Sequence, residues 1–129
     1  MINSKQKGKA GELEAVRVLK EHGFSDARRG QQFKGTPDSP DIICPSLGAF
    51  HFEVKRTERL NLYDAIGQAE KDAGDSTPVV MHRKNNHKWV AILHFDDFVD
   101  IVKETDLIRP KQKTENELAY ELYNVGGNL

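Results

Sequence analysis

The chain has 129 residues, of which 37% are hydrophobic and 30% charged; these proportions predict one globular domain with a modest core and exclude a disordered chain. No apolar run approaches the roughly 20 residues of a membrane-spanning helix, and the polar first residues do not predict a secretory signal. The single cysteine excludes an internal disulfide and a thiolate zinc site, and a cytoplasmic location is expected.

Positive charge is concentrated in the first half of the chain, although the formal net charge is only −1. Residues 1–60 carry 11 Lys and Arg against 8 Asp and Glu, whereas the remainder carries 8 against 12. A local basic face is one interpretation of this asymmetry, and an ordinary solvated surface is the other. The residues available for a basic face are Lys5, Lys7, Lys9, Arg28, Arg29, Lys34, Arg56 and Arg59.

The first half of the chain predicts a helix, two or three short strands and a loop. Apolar residues with helical period predict a helix over residues 9–22 that ends at Gly23. The segments that follow predict a short strand or turn, a loop rich in Gly and Pro, and two strands that pair as a hairpin. They are residues 25–30, 31–40, 41–44 and 49–56.

The second half predicts a helix, a hairpin and another short helix. Asn61 is expected to cap a helix that continues to about residue 73, with Leu62, Ala65, Ile66, Ala69 and Ala73 as its inner stripe. Two apolar strands over residues 78–83 and 88–95 follow, joined by an Asn-Asn turn, and then a short helix capped by Asp96.

This order of elements predicts an α/β fold, a central mixed β-sheet of about five strands flanked by helices. We expect residues 1–103 to form the functional domain, and residues 104–129 to be a peripheral C-terminal tail.

The strand over residues 49–56 alternates between apolar and polar side chains. Its two faces carry Phe50, Phe52 and Val54 on one side and His51, Glu53 and Lys55 on the other. A surface strand with one buried face and one solvated face is the simplest interpretation of this pattern.

Asp41 favours a functional interpretation of the same strand. If residue 41 pairs with residue 53, the apolar faces of the two strands coincide and the two carboxylates lie about 5 Å apart. Carboxylates this close repel each other unless a cation lies between them.

A third carboxylate is expected on the core side of the first helix. At 100° per residue, Glu12 falls between the directions of Val16 and Leu19, within the apolar arc. A carboxylate there is costly without a partner. Glu12 either reaches solvent at a frayed helix end or joins Asp41 and Glu53.

Lys55 lies two residues beyond Glu53 and on the same face. Three carboxylates with one ammonium form a site for a hard divalent cation, and oxygen ligands favour Mg²⁺ or Mn²⁺ over zinc. Such a site fits phosphodiester hydrolysis, in which Lys55 would orient the attacking water or neutralise developing charge. Of the five histidines, only His51 is expected near this site.

These residues resemble a known family. Asp41 followed by Glu53-Val54-Lys55 is similar to the signature of the PD-(D/E)XK nucleases, with Pro40 before the aspartate. The resemblance extends over about residues 8–102 and is nearest to small phage-encoded resolvases and endonucleases.

Two further positions carry the resemblance. The helix "GKAGELEAVRVLKEHGF" resembles the opening of archaeal-type Holliday junction resolvases, and Glu12 matches the glutamate that completes their metal site. Gln68, in "AIGQAEKDAG", matches a glutamine that many members of the superfamily carry on the helix after the E-x-K strand.

The resemblance implies a restriction-endonuclease-like core and a Mg²⁺-dependent endodeoxyribonuclease, with Mn²⁺ as a substitute, that acts on branched DNA as a homodimer. It implies catalytic roles for Glu12, Asp41, Glu53, Lys55 and Gln68. The expected metal ligands are Glu12, Asp41, Glu53 and the backbone carbonyl of Val54.

The residues expected to hold DNA flank the acidic cluster in the sequence. They are Lys9, Arg28, Arg29, Lys34, Arg56 and Arg59. A virus-type replication-repair nuclease, a restriction-like nuclease and an inactive DNA-binding protein on the same fold are the alternatives.

Overall fold

Four α-helices and five strands are formed by residues 4–30, 40–108 and 114–127, which are the residues that the structure, a computed structural model, describes. The helices are α1 (Ser4–Glu21), α2 (Leu62–Ala73), α3 (Phe95–Lys103) and α4 (Glu115–Gly127). The strands are β1 (Arg28–Arg29), β2 (Ile42–Ile43), β3 (Phe50–Arg56), β4 (Thr77–Arg83) and β5 (Val90–Ile92), with a 3-10 turn at Pro45–Leu47. The chain divides into two compact units, residues 1–98 and residues 99–129.

Helix α1 ends where the sequence predicted. Gly23 has a φ of 96°, its N–H donates to the carbonyl of Lys20 at 2.9 Å, and the N–H of Phe24 donates to the carbonyl of Leu19 at 3.0 Å. This pair of bonds satisfies the last carbonyls of the helix, and the positive φ suits a residue without a side chain. On the predicted apolar face, Ala15, Val16 and Leu19 are buried, Val18 is half-buried and Leu13 is 46% exposed.

Strands β3, β4 and β5 form one mixed sheet in that order. β3 and β4 run parallel, with Phe50 opposite Thr77 and Arg56 opposite Arg83, and β5 pairs antiparallel with β4. The parallel pair requires a crossover connection, which contains α2. The predicted cap of α2 is confirmed, because the side chain of Asn61 accepts a hydrogen bond from the N–H of Asp64.

The sheet is covered on both faces. On one face, Phe52, Val79 and Met81 pack with the α1 residues Val16 and Leu19. On the other face, Val80 packs with Ala65, Ile66 and Ala69 of α2, whereas Leu62, predicted in the same inner stripe, is 41% exposed. Strand β3 therefore lies between helices and has no fully solvated face.

The predicted sheet of about five strands is not confirmed. Among the described residues, β2 pairs antiparallel with β1, placing Arg29 opposite Ile42, and these two form a separate sheet. The predicted hairpin between residues 41–44 and 49–56 is also wrong in its pairing, although Ile42, Cys44 and Phe52 share one apolar cluster as predicted. The reason is that the Asp41 side chain, and not the β2 backbone, bonds to β3.

The predicted hairpin in the second half is present, with Asn86 in its turn at a φ of 63° and a β5 shorter than the expected 88–95. Helix α3 begins at Phe95, so Asp96 lies in its first turn and does not cap it.

Helix α4, in the second unit, was not predicted from the sequence. The boundary between a domain at 1–103 and a peripheral tail stays a prediction. None of the helices in the described ranges is both long enough and apolar enough to cross a bilayer.

Candidate functional site

Asp41 is positioned by a close approach between β1 and β2. The N–H of Gly30 donates to the Asp41 carbonyl at 2.9 Å. A Cβ atom at position 30 would lie 1.9 Å from the carbonyl oxygen of Pro40, so this contact admits only glycine. The Asp41 side chain then accepts a hydrogen bond from the N–H of Val54 at 2.7 Å. Asp41 is thereby fixed beside Glu53, Val54's neighbour in the chain.

Glu53 lies on the face of β3 that α2 covers. It is opposite Val80 in the parallel register, and Val80 packs against α2. Only 7% of Glu53 is exposed, although the strand pattern had also allowed a solvated face here. Burial, together with the negative charge of Asp41, raises the pKa of Glu53 to about 7, and the Lys55 ammonium opposes this rise.

The surroundings of Asp41 also disfavour its ionised form. Burial raises the pKa of Asp41, while the Val54 N–H and the charge of Lys55 lower it. Asp72, on α2, adds negative charge that acts on both Asp41 and Glu53. Asp72 was not among the site residues predicted from the sequence. A buried carboxyl whose proton affinity is raised by the negative charge of neighbouring carboxylates is an electrostatic condition that a bound cation relieves.

Lys55 and Gln68 are hydrogen-bonded to each other. The Lys55 Nζ lies 3.6 Å from Glu53 Oε1 and donates to Gln68 Oε1 at 3.1 Å. Gln68 is on α2, so this bond joins the helix to the polar face of β3. The ammonium is thus held beside the carboxylate pair by a neutral acceptor.

Glu12 is buried on the core side of α1, as its helical direction predicted. Burial raises its pKa, and the hydrogen bond from Arg29 lowers it. The Arg29 guanidinium forms an ion pair with the Glu12 carboxylate. The negative charge of Asp41 acts on Glu12, but Arg29 is its direct partner. Glu12 therefore has a cation partner within the protein.

Two carboxylates, and not the three that the sequence predicted, are placed to bind a hard divalent cation. Within residues 4–30, 40–108 and 114–127, no group of three or more His, Cys, Asp or Glu side chains lies in an arrangement that could hold a metal ion. Asp41 and Glu53 supply the carboxylate oxygen donors that Mg²⁺ prefers. The predicted roles of Glu12 and of the Val54 carbonyl as ligands stay predictions.

His51 is a buried residue of the site, which sequence reasoning placed only in its vicinity. It is 8% exposed, and its Nε2 lies 4.0 Å from Glu53 Oε2. That nitrogen has no hydrogen-bond partner among the residues that the structure describes. The strand alternation was the available signal, since it put His51 and Glu53 on one face.

The predicted DNA-binding residues separate into exposed and engaged ones. Lys9, Arg28 and Arg59 are exposed, and Lys34 lies outside the described residues. Arg29 is bound to Glu12, and Arg56 donates to Glu14 and Asn85. Arg29 and Arg56 therefore have partners within the protein, which were not predicted from the sequence.

A groove of about 230 Å³ opens beside Lys55. It is lined by Lys7, Gly8, Gly11, Val54, Lys55, Arg56 and Thr57. Three cations and no carboxylate line it, so the groove favours an anion. Lys7 belongs to the basic N-terminal segment noted in the sequence.

Comparisons with protein-family models, curated proteins and solved structures found no match to this chain.

Proposed function

We propose that this chain is a divalent-metal-dependent endodeoxyribonuclease of the PD-(D/E)XK type, with a restriction-endonuclease-like core, that cuts branched DNA. The observation that carries the proposal is the placement of Asp41 and Glu53 beside Lys55 and Gln68. A pair of carboxylates, one buried at Glu53 and one half-buried at Asp41, with an adjacent ammonium matches the residues and the order that the signature requires.

The chemistry follows from these side chains. Asp41 and Glu53 would hold the cation, because they are the carboxylates of the site that lack a direct guanidinium partner among the described residues. A bound Mg²⁺ supplies a Lewis acid for a phosphate oxygen and lowers the pKa of a coordinated water. Lys55 neutralises negative charge that develops on the phosphate, and Gln68 holds Lys55 in place.

The substrate would approach along the groove beside Lys55. Its cationic lining attracts a phosphate backbone without reading base sequence, which suits an enzyme that recognises DNA shape. Symmetric cuts across a four-way junction need two active sites related by a two-fold axis, so the proposal includes a homodimer. It also places the protein in the cytoplasm, that of a bacterial host if it is phage-encoded.

A second candidate is a DNA-binding protein on the same fold without hydrolytic chemistry. The observation that favours it is the ion pair between Arg29 and Glu12, which satisfies the third acid of the predicted metal site without a metal. The two candidates share the groove and differ in whether Asp41 and Glu53 act on a phosphodiester.

The test is cleavage of labelled DNA by the full chain in Mg²⁺ at pH 8, with a four-way junction, a flap, a linear duplex and a single strand as substrates. We expect cutting of the junction above the other three. Glu53→Gln and Asp41→Asn should abolish cutting and leave junction affinity equal or tighter, since each removes a ligand and a charge that repels phosphate. Junction binding without cutting by the unmodified protein supports the second candidate, and cutting by both variants at wild-type rate refutes this active site.

A further inference from the structure

A cleft of about 530 Å³, here called the α1 cleft, lies between the second half of α1 and the connection from β4 to β5. Its permanent cations are Arg17 on the helix, Arg83 at the end of β4 and Lys88 in the connection. Its carboxylates are Glu14 and Glu21, both on α1. None of these five residues is among the predicted site residues, and none lines the cationic groove described above.

Glu14 is the carboxylate of the cleft whose charge is already compensated. Its side chain accepts a hydrogen bond from Arg56 Nε at 3.1 Å and forms an ion pair with the Arg83 guanidinium. Two guanidiniums therefore share one carboxylate, which leaves one positive charge in excess. The other charged residues of the lining are two cations and one carboxylate, so the balance around the cleft is four cations against two carboxylates. A concave surface with an excess of one sign of charge attracts ions of the other sign.

Arg17 and Lys88 are the cations of the α1 cleft that are available to a ligand. Both are exposed, and neither has an ion-pair partner among the residues that the structure describes. Trp89 adds an apolar wall, since it is half-buried and packs against the core cluster between α1 and the sheet. Charged donors beside an apolar wall suit a nucleic-acid backbone, in which phosphates alternate with less polar sugars.

The α1 cleft is next to the cationic groove along which the substrate is proposed to approach. Arg56 lines the groove and Arg83 lines the cleft, and both bind the carboxylate of Glu14. Along α1, Gly11 lines the groove and Arg17 lines the cleft, a separation of about 9 Å at 1.5 Å per residue. One strand of duplex DNA rises about 3.4 Å per nucleotide, so this distance corresponds to about three nucleotides.

We propose that the α1 cleft binds a second backbone phosphate of the DNA, about three nucleotides from the phosphate in the groove, through Arg17 and Lys88. This inference rests on the proposed DNA-binding function of the groove. The second contact would fix the direction of the strand across α1 without reading its base sequence.

The test is fluorescence anisotropy of a labelled four-way junction with the full chain, in metal-free buffer at several salt concentrations. Arg17→Gln and Lys88→Gln should each lower the slope of log affinity against log salt by about 0.9, the value for one phosphate contact. Lys20→Gln is the matched control, because Lys20 is exposed on the same helix but lies about 120° around it from Glu14. It should leave the slope unchanged.

A second readout comes from Trp89, which is the single tryptophan of the chain and lines the cleft. Saturating unlabelled junction should change its emission in the unmodified protein, and 10 mM inorganic phosphate alone should not. Unchanged slopes in both variants, with a lowered slope in Lys7→Gln, overturn the cleft and leave the groove standing. A response of Trp89 to inorganic phosphate with unchanged slopes shows a site for a free anion and also overturns the DNA contact. No junction binding by the unmodified protein overturns both proposals.

Discussion

At the scale of single residues, burial couples the ionisation of Glu53 to folding. Its pKa is raised to about 7 from an ordinary value of 4.5, mainly by burial. Between pH 4.5 and about pH 7, the folded protein binds more protons than the unfolded chain, so protonation of Glu53 stabilises the folded state. This contribution is full below pH 4.5 and is lost as the pH rises through about 7. Asp41 and Glu12, with raised pKa values, act in the same direction.

We therefore predict that the free energy of unfolding of the metal-free protein falls as the pH rises from about 5 to about 8. The contribution of Glu53 is on the order of 3 kcal/mol. Glu53→Gln should remove most of this slope and make the protein more stable at pH 8, because an amide needs no charge there. Urea denaturation in the presence of a chelator, at several pH values, measures the slope.

Glu21→Gln is the control for that series, since Glu21 is exposed on α1. It should leave the slope as in the unmodified protein. Saturating Mg²⁺ should flatten the slope of the unmodified protein and not that of Glu53→Gln, because binding to an ionised ligand offsets the cost of its burial. A Glu53→Gln variant that keeps the full slope would show that other groups set the pH dependence.

We predict that Lys55→Ala retains metal binding and loses DNA cleavage. Lys55 contacts Glu53 and Gln68, and its charge lowers the pKa of Glu53. At pH 8 its removal should leave Mn²⁺ affinity equal or higher, because a repelling cation is lost, while cleavage falls by about a hundredfold or more. Calorimetry and single-turnover cleavage measure the two effects. Lys84→Ala, in an exposed turn, should change neither. Loss of Mn²⁺ binding in Lys55→Ala would contradict this assignment.

At the scale of secondary-structure elements, close backbone approach positions the site. Gly11 on α1 packs against β3, where a Cβ atom would lie 2.7 Å from the Cβ of Arg56. Gly30 allows the end of β1 to approach Pro40 and so aligns Asp41 with β3. Neither Gly11 nor Gly30 has a positive φ, so neither is needed for an unusual backbone conformation. Each is needed because a side chain would not fit in the space.

Gly30→Ala should destabilise the protein by about 1–3 kcal/mol, as overpacking does in a tight contact. It should also weaken Mn²⁺ binding, because the added methyl group pushes Asp41 away from Val54. The control is Gly67→Ala in the middle of α2, where an added Cβ meets nothing within 4 Å. That change should stabilise the protein by about 0.5–1 kcal/mol. Urea denaturation and calorimetry of both variants decide the matter, and equal stabilisation by the two would rule out this role for Gly30.

At the scale of the whole molecule, the excess of Lys and Arg in residues 1–60 can form a DNA-binding surface only where these side chains are free to contact phosphate. Arg29 and Arg56 are engaged within the protein, so their replacement would disturb Glu12 or Glu14 as well as DNA. Lys7 is a better probe, because it is exposed and lines the groove beside Lys55.

We predict that Lys7→Gln lowers the slope of log affinity against log salt by about 0.9, the value for one phosphate contact to duplex DNA. Lys20→Gln, with the same charge change on the same helix and roughly 20 Å along it, should leave the slope unchanged. Fluorescence anisotropy with a four-way junction, in metal-free buffer at several salt concentrations, gives both slopes. Equal effects of the two changes would place the DNA-binding face elsewhere.

The local elements were determined by the sequence alone, because their causes lie within a few residues. The helical period with Gly23 set the end of α1, Asn61 capped α2, and the Asn-Asn turn placed Asn86 at a positive φ. The alternation in β3 placed Glu53 and Lys55 on one face, as the contact between them confirms. The direction of Glu12 on the helix predicted its place on the core side but left open whether it reaches solvent, and the structure shows it buried.

Only the tertiary structure decided how distant segments share this site. Strand β2 pairs with β1, 13 residues away in sequence, because Gly30 admits a close backbone contact that no periodicity encodes. The face of β3 that carries His51 and Glu53 is buried because α2 crosses over it, whereas alternation distinguishes two faces without telling which one a helix will cover. The pairing of Arg29 with Glu12 likewise depends on the packing of β1 against α1. Long-range contacts set which charges have a partner, and thereby paired Glu12 with a guanidinium while Asp41 and Glu53 have none among the described residues.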